Sequence, residues 1–408
     1  MSSSDWKAAI AEHKVDPKVK AEARKKFHFR PSEDAPTSKI APENTVQLEA
    51  IDLSKYKEGE EGLPARKELA DQLEGAVTKY GFFKVTNFAP KELLEQLFSL
   101  SQSTFEEPDE VKKQFFAGEH NLPHEKNRPL GVVRGSGYKP AGFWKYTENK
   151  TPDNVEFFNI RNFTQFDTFF NKTEYPEFIK ANLDDIAYYF NYVHHEVLRK
   201  VLNLIDLILE LPEGFLYENY FSVVQGDLAN SPDGSARFLL YRKVTDEYNE
   251  KTGNIWMRGH ADQDALTFLL SQPILSLQIR DHDTNQWKYV THTPGALIVN
   301  IGDMFSQISG GYFKSSIHRV VTAPEDQRQY DRNTALYFCN PVPTTYLDPD
   351  AVHSPKLDRL GYKRDAKLER ITAAQWDDKK GEFFNRVSEN RTKDFTLFGR
   401  PTVGSLVV

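Results

Sequence analysis

Between residues 237 and 340 the chain carries about eight short apolar runs, at 237–241, 255–257, 265–270, 275–279, 287–290, 296–300, 315–321 and 334–338. Gly, Pro, Asp or Asn separates them. Each run is too short for a stable helix, and the even spacing matches strands of a sandwich, barrel or jelly roll. A segment of this kind must close its sheets on one another to bury its apolar faces.

The residues before it follow a different period. Leu69, Leu73, Val77 and Tyr80 mark one face of a helix over 66–80, and 92–102 and 108–116 also read as helical. The strongest helix is expected over 182–211, where Ile186, Phe190, Val193, Val197, Val201, Ile205 and Ile208 recur at three- and four-residue steps. Short strands are expected at 48–53 and 81–85. Residues 117–160 are rich in Gly, Pro and aromatics and offer no regular period. Residues 1–45 are polar and mixed in charge, an extension that packs on a core or stays partly loose. The 408 residues allow two domains, but one jelly roll buttressed by helices is the preferred arrangement.

Composition excludes several classes. No run of about eighteen apolar residues exists, so a spanning helix is not expected. The N-terminal residues have no apolar segment behind a basic one, so no secretory signal is expected. A net charge of -7 argues against nucleic acid or an anionic membrane as partner. One cysteine, Cys339, precludes an internal disulfide and a thiolate metal cluster and suits a reducing, cytoplasmic setting. Any metal would be held by His, Asp or Glu.

Two histidines and one carboxylate on one face of an octahedron bind iron(II) and leave open positions for substrate-derived ligands and oxygen. The sequence form is His-x-Asp or His-x-Glu with a distant second His. Eleven histidines and 59 acidic residues in 408 make one or two such pairs expected by chance, and two occur. In His194-His195-Glu196 the helical period points residues two apart in nearly opposite directions, so that pair cannot grip one ion. His194 reads as a hydrogen-bonded packing residue. In His260-Ala261-Asp262 the context is extended, where residues two apart share a face. The alternative there is a surface turn after Gly259. His318, 58 positions on (318 − 260), returns on a strand. Arg332-Asn333-Thr334 then sets a guanidinium and a hydroxyl two apart on one strand, the pattern of a carboxylate receptor.

These residues carry a resemblance. His260-Ala-Asp262-Gln-Asp-Ala-Leu266-Thr267, Pro294-Gly-Ala-Leu-Ile-Val-Asn300-Ile-Gly302-Asp303 and Gly311-Tyr-Phe-Lys-Ser-Ser-Ile-His318-Arg319 resemble, in order, the metal-site segments of the 2-oxoglutarate- and iron(II)-dependent oxygenases. The likeness is to the branch of isopenicillin N synthase and the plant flavonoid and gibberellin oxygenases. It extends over roughly 46–385 through Ile51-Asp-Leu-Ser54 and Gly81-Phe-Phe-Lys-Val-Thr-Asn87. It implies a mainly β chain with packed helices: a double-stranded β-helix (jelly roll) core behind a helical N-terminal region. The implied division is an extension at 1–45, a helical front at 46–215, the catalytic core at 216–345, and a C-terminal helix and tail at 346–408.

The resemblance further implies Fe(II) on His260, Asp262 and His318. It implies 2-oxoglutarate as co-substrate, its far carboxylate on Arg332 and Thr334 beside Tyr241, with O2 consumed and ascorbate as a possible reductant. Three departures stand out: Thr334 where the family usually has Ser, a longer gap from His318 to Arg332 that leaves Arg328 as a rival, and Asn87-Phe88-Ala89 where the family has an Asn-His-Gly turn. Arg242 also stands where proline commonly follows Tyr241. The implied reaction oxidises a C–H bond of a hydrophobic or ring-bearing small molecule, releasing succinate and CO2, in a monomer or weak homodimer. Hydroxylation is the default outcome, with desaturation or ring closure open to the same site. Tyr138, Phe143, Phe158 and Phe305 fall in segments that resemble substrate-lining regions; core packing is the competing reading for each. Arg134, Lys139 and Arg161 read as solvated charges that would otherwise meet a substrate acid. Two other functions remain open: an iron oxidase of the same fold that does not use 2-oxoglutarate, and an inactive jelly-roll binding protein.

Overall fold

The computed structural model describes residues 5–31, 35–117, 135–143, 151–385 and 395–402. The strands of its two main sheets are β1 Thr45–Val46, β2 Ala50–Asp52, β3 Phe82–Thr86, β4 Gly137–Lys139, β5 Val155–Arg161, β6 Ser235–Tyr241, β7 Ile255–His260, β8 Leu266–Leu270, β9 Leu277–Arg280, β10 Trp287–Val290, β11 Leu297–Ile301, β12 His318–Val321 and β13 Arg332–Cys339. All eight strands expected after residue 237 are present. The smaller sheet has five strands in the order β1-β10-β9-β12-β7, and the larger has eight in the order β2-β3-β11-β8-β13-β6-β5-β4.

The sheets face each other. Two apolar clusters fill the space between them. Val46, Phe82, Leu277, Ile279, Val290 and Ile298 form one. Val155, Phe157, Leu239, Tyr241, Trp256, Val320 and Leu336 form the other. Alternation then fixes what each strand shows outward. Phe158, Phe238, Leu240, Phe268, Ala335 and Tyr337 point from the opposite face of the large sheet into the helical layer. A central strand covered on both faces has no polar side, which is why β5 carries no readable alternation in the sequence.

The helical layer centres on Leu183–Tyr192 and Arg199–Ile208, joined by a π-helical turn at Val193–Leu198. The expected single helix is therefore continuous, but it is widened at its middle by the extra residue of that turn. Val201, Leu202, Leu204, Ile205 and Ile208 are buried from its second half, each burial stabilising by roughly 1.5–3 kcal/mol. The N-terminal segment takes the packed alternative. Helices Asp5–Ala11 and Pro17–Lys26 are both tied to the long helix. Trp6 is fully buried and stacks on His195 with centroids 5.8 Å apart, and Lys20 and Arg24 pair with Asp184 and Asp185. No described helix is long and apolar enough to cross a membrane.

Candidate active site

His260 ends β7 and His318 begins β12, and the two residues are direct partners in the antiparallel ladder. Direct partners share a face, so the rings stand side by side, with centroids 4.4 Å apart. Asp262, two residues past His260, brings its Oδ1 to 3.5 Å from His260 Nε2 and 3.6 Å from His318 Nε2. One ligand atom from each residue lies within 4.8 Å of the others, so the three could hold a metal ion. No other group of three or more such side chains occurs among the described residues.

The surroundings prepare these groups as ligands. His260 Nδ1 lies 2.8 Å from the Arg258 carbonyl, and His318 Nδ1 lies 3.3 Å from the Ser316 carbonyl. Only a protonated Nδ1 can donate to a carbonyl, so both Nε2 lone pairs face the shared point. Burial pushes the His318 ring down to about 4, which keeps it neutral. Asp262 Oδ2 accepts from Thr267 Oγ1 at 2.6 Å and Asn300 Nδ2 at 2.9 Å, leaving Oδ1 for the histidine side. Burial alone would raise the Asp262 carboxyl; the neighbouring His318 and His260 rings and the Thr267 hydroxyl overcome it and hold it low. Asp264 is raised well above the carboxylate range by burial and then by Asp262. A protonated Asp264 can donate to the Thr267 oxygen 2.9 Å away, freeing the Thr267 proton for Asp262.

The loop carrying Asp262 is clamped by backbone. Amides of Gly302, Asp303 and Met304 donate to the carbonyls of Ala265, Asp262 and Asp264. A Cβ on Gly302 would sit 2.1 Å from the Asp264 carbonyl, so only glycine fits there. Lys380, from helix Ala373–Asn385, donates to the Ala261 carbonyl at 2.9 Å and to Asp303.

Arg332 lies on the inner face of β13, opposite Tyr241 of β6. Only 2 % of it is exposed, and its Nε has no hydrogen-bond partner among the described residues. The Tyr241 ring centre lies 5.2 Å from the guanidinium carbon. A guanidinium in a closed interior is costly unless an anion joins it. Thr334, two residues on, donates its hydroxyl to the Leu270 carbonyl at 2.9 Å. Arg328 is half exposed beside Asp246, away from this interior. Tyr241 is fully buried, stacked on Trp256, with its hydroxyl 3.7 Å from Met257 Sδ.

Several expectations need revision. Phe158 and Phe305 are buried in the helix-side core, Phe158 because it alternates with the inward Phe157. Tyr138 is buried on the same side and donates to Glu156 at 2.7 Å. Phe143 is half buried against Phe116. Lys139 and Arg161 are not solvated charges: Lys139 is buried 2.5 Å from Asp153, and Arg161 pairs with Asp233 at 2.5 Å. Burial lowers the Lys139 amine to about 8. Arg134 lies outside the described residues. His194 is the packing residue expected, between the Tyr337 hydroxyl and the Phe221 carbonyl. Sequence reasoning misses the roles of Thr267 and Asn300. Their signal is present: both sit on short strands adjoining the His-x-Asp segment, and they pair with each other across β8 and β11.

Two family models match separate parts of the chain. Residues 234–341 match the 2OG-Fe(II) oxygenase superfamily, and residues 48–180 match the N-terminal region named for a non-haem dioxygenase in morphine synthesis. The chain belongs to the 2-oxoglutarate- and iron(II)-dependent oxygenase superfamily. A 2-oxoglutarate-dependent dioxygenase of Didymella fabae is 27% identical over 288 residues, 67% of this chain and 80% of that protein. The dioxygenase citB of Monascus ruber is 27% identical over 339 residues, 80% of this chain and 92% of its own. A full-length Neurospora crassa protein solved in complex with α-ketoglutarate shares the fold at a TM-score of 0.65 and 20% identity, covering 86% of this chain and 100% of that one. The rice dioxygenase for auxin oxidation does so at 0.58 and 17%, covering 84% and 98%.

As an oxygenase of this superfamily the chain uses Fe(II) and 2-oxoglutarate. The donor set fits the metal, since two neutral imidazoles and one carboxylate suit iron(II). Arg332, buried and with its Nε unpartnered among the described residues, fits a dicarboxylate co-substrate.

Proposed function

We propose that this oxygenase oxidises a C–H bond of a small organic molecule, hydroxylation being the default outcome, with His260, Asp262 and His318 as the iron ligands and Arg332 with Thr334 as the receptor for the far carboxylate of 2-oxoglutarate. The observation that carries the reading is one interior containing both a convergent His-Asp-His group and a buried guanidinium whose Nε has no partner among the described residues. Bound iron supplies oxidative decarboxylation of 2-oxoglutarate by O2, yielding succinate and CO2 and the power to break a C–H bond. The chain's own residues bind, orient and exclude water.

Thr267 and Asn300 occupy one oxygen of Asp262, so the other oxygen is the one that would hold the metal. Arg332 would hold the far carboxylate of the co-substrate, and the apolar Leu269 and Ile298 line the same small cavity. Tyr241 covers the guanidinium rather than reaching past it. The relatives support a small substrate: a full-length Neurospora crassa protein of the same fold is solved with α-ketoglutarate and thymine, and an Ipomoea batatas relative is named a feruloyl CoA ortho-hydroxylase. A reducing, cytoplasmic setting suits the single buried thiol, Cys339.

The test is anaerobic titration with Fe(II) and 2-oxoglutarate. A visible charge-transfer band is expected in the wild type and absent in His260→Ala. With air, succinate should form only when 2-oxoglutarate is present, which separates this reading from an iron oxidase that does without it. Absence of both band and succinate from the wild type would sink the proposal.

A further inference from the structure

We infer that His292 donates from Nε2 to the far carboxylate of 2-oxoglutarate, so that an imidazole from the connection between β10 and β11 holds the co-substrate's tail together with the guanidinium of Arg332. This rests on the oxygenase reading above and deepens it, adding a binding residue to that same site.

His292 and Arg332 line one small cavity between the sheets, with Leu269, Val290 and Ile298 as apolar walls and Ser271 beside the ring. Alternation brings them there. His292 follows Val290 by two residues and Ser271 follows Leu269 by two, so both continue the inward-facing rows of β10 and β8. Hydrogen bonds then decide which ring nitrogen carries the proton. Ser271 Oγ accepts the Thr293 amide at 3.1 Å and lies 2.9 Å from His292 Nδ1. The serine proton has no other acceptor among the described residues, so it goes to Nδ1 and the ring proton sits on Nε2. Burial, and then the Lys84 ammonium, lowers the ring to about 4, so it is neutral with a single N–H to give. Among the described residues that N–H has no acceptor, the bond to Ser271 being the ring's only one. His292 is partly buried, so the donor is left for a ligand in the cavity or for water.

The connection is fixed before any ligand arrives. Lys84 of β3, 4 % exposed, donates to the hydroxyls of Thr291 at 3.2 Å and Thr293 at 2.7 Å, the residues on either side of His292. That preorganisation lowers the entropy cost of using the ring as a donor. Charge supplies a second argument. Lys84 and Arg332 are both buried, and among the described residues neither has a carboxylate partner. Two such cations at one end of a low-dielectric interior are costly until an anion joins them. Thr334 is a poor third donor, because its hydroxyl already serves the Leu270 carbonyl. A carboxylate offers about four lone-pair sites, enough for the Arg332 fork and an imidazole N–H together.

The experiment compares 2-oxoglutarate with 2-oxopentanoate, which has a methyl group in place of the far carboxylate, by calorimetric titration of the full chain loaded with Mn(II). The wild type should prefer 2-oxoglutarate by at least about 100-fold, since two charge-assisted contacts are lost with the carboxylate. His292→Leu should cut that preference about 10-fold and leave the affinity for 2-oxopentanoate unchanged. His292→Gln, which sets an amide N–H near the place of Nε2, should restore part of it. Ser271→Ala, which frees the ring without removing it, should lower the preference a few-fold. Melting temperatures report whether each variant folds; if His292→Leu does not, Ser271→Ala carries the test. A preference unchanged in His292→Leu, a loss as deep in His292→Gln, a loss shared equally by both keto acids, or equal binding of the two by the wild type would each overturn the inference. The oxygenase reading fails by a different result, a wild type that gives neither charge-transfer band nor succinate. A wild type that gives both, with His292→Leu keeping its full preference, would sink this inference alone.

Discussion

Arg332 and Thr334 stand two residues apart on one strand face, but their surroundings make them unequal. The Arg332 Nε is buried without a partner among the described residues, whereas the Thr334 hydroxyl already serves the Leu270 carbonyl. Removing the guanidinium should therefore cost far more than removing the hydroxyl. Arg332→Gln is expected to raise the 2-oxoglutarate dissociation constant about 10- to 100-fold, and Thr334→Ala only about 2- to 5-fold, measured by titrating the charge-transfer band. Near-equal effects would contradict this account. A second residue-scale prediction concerns His194. Burial lowers its ring to about 4 from an ordinary 6.5, so the folded state demands the neutral form. Its contribution is complete above pH 6.5 and drains away as pH falls from there toward 4, roughly 3 kcal/mol over the whole window. His194→Asn should be less stable than wild type at pH 7 by urea denaturation, and that deficit should shrink by about 2 kcal/mol at pH 5. A deficit independent of pH would contradict the assignment. His260, Asp262 and His318 are legible in the sequence because period two and one strand return suffice to bring them together. The roles of Thr267 and Asn300 are not, since they exist only once β8 and β11 lie beside the Asp262 loop.

At the scale of elements, sequence period reveals an element only where burial differs between its faces. The helix over Leu63–Lys79 and the strands after residue 237 show that contrast. β5 does not, because its residues 155–158 are all buried in succession, core lying on both sides of the sheet, and so 117–160 reads as irregular. The helices Asp5–Ala11 and Pro17–Lys26 escape for a different reason: the first is only seven residues long and the second is mostly charged, and both are fixed on the long helix by Trp6, Lys20 and Arg24. The C-terminal helix Ala373–Asn385 has a role no period could reveal. It delivers Lys380, wholly buried, to Asp303 and to the carbonyl of Ala261, inside the His-x-Asp segment. Gln263 of the same loop donates to Asp377 at 2.6 Å. Lys380→Met keeps the stem but leaves the Ala261 carbonyl without its Lys380 donor and the partly buried Asp303 carboxylate with only the Ser315 hydroxyl among the described residues. It should cost about 3 kcal/mol in chemical denaturation and weaken Mn(II) binding, read by electron paramagnetic resonance. If metal affinity were untouched while stability fell, the helix would support the fold but not the loop.

At the scale of the whole molecule, the site divides between the two sheets. His260 and His318 belong to the five-stranded sheet, and Arg332 and Thr334 to the eight-stranded one. The rhythm of short strands makes a closed β core legible, but sheet order is not, because β1 and β2 reach their sheets through parallel pairings, β1 with the distant β10. This division has a thermodynamic consequence for the proposed ligand set. A metal ion is held by one sheet and its loop, so it stabilises that half. 2-Oxoglutarate has an anchor on each sheet only when the metal is present, and then it ties the sheets together. Ligand binding to the folded state adds about 2.7 kcal/mol at a concentration 100 times the dissociation constant. Mn(II) alone should thus raise the melting temperature, 2-oxoglutarate alone should barely move it, and the two together should exceed the sum of their separate shifts by several degrees. Arg332→Gln should keep the metal shift and lose the excess, and His260→Ala should lose both. A large shift from 2-oxoglutarate alone, surviving in His260→Ala, would mean that the co-substrate is gripped by the Arg332 end without the metal, and the bridging arrangement would fall.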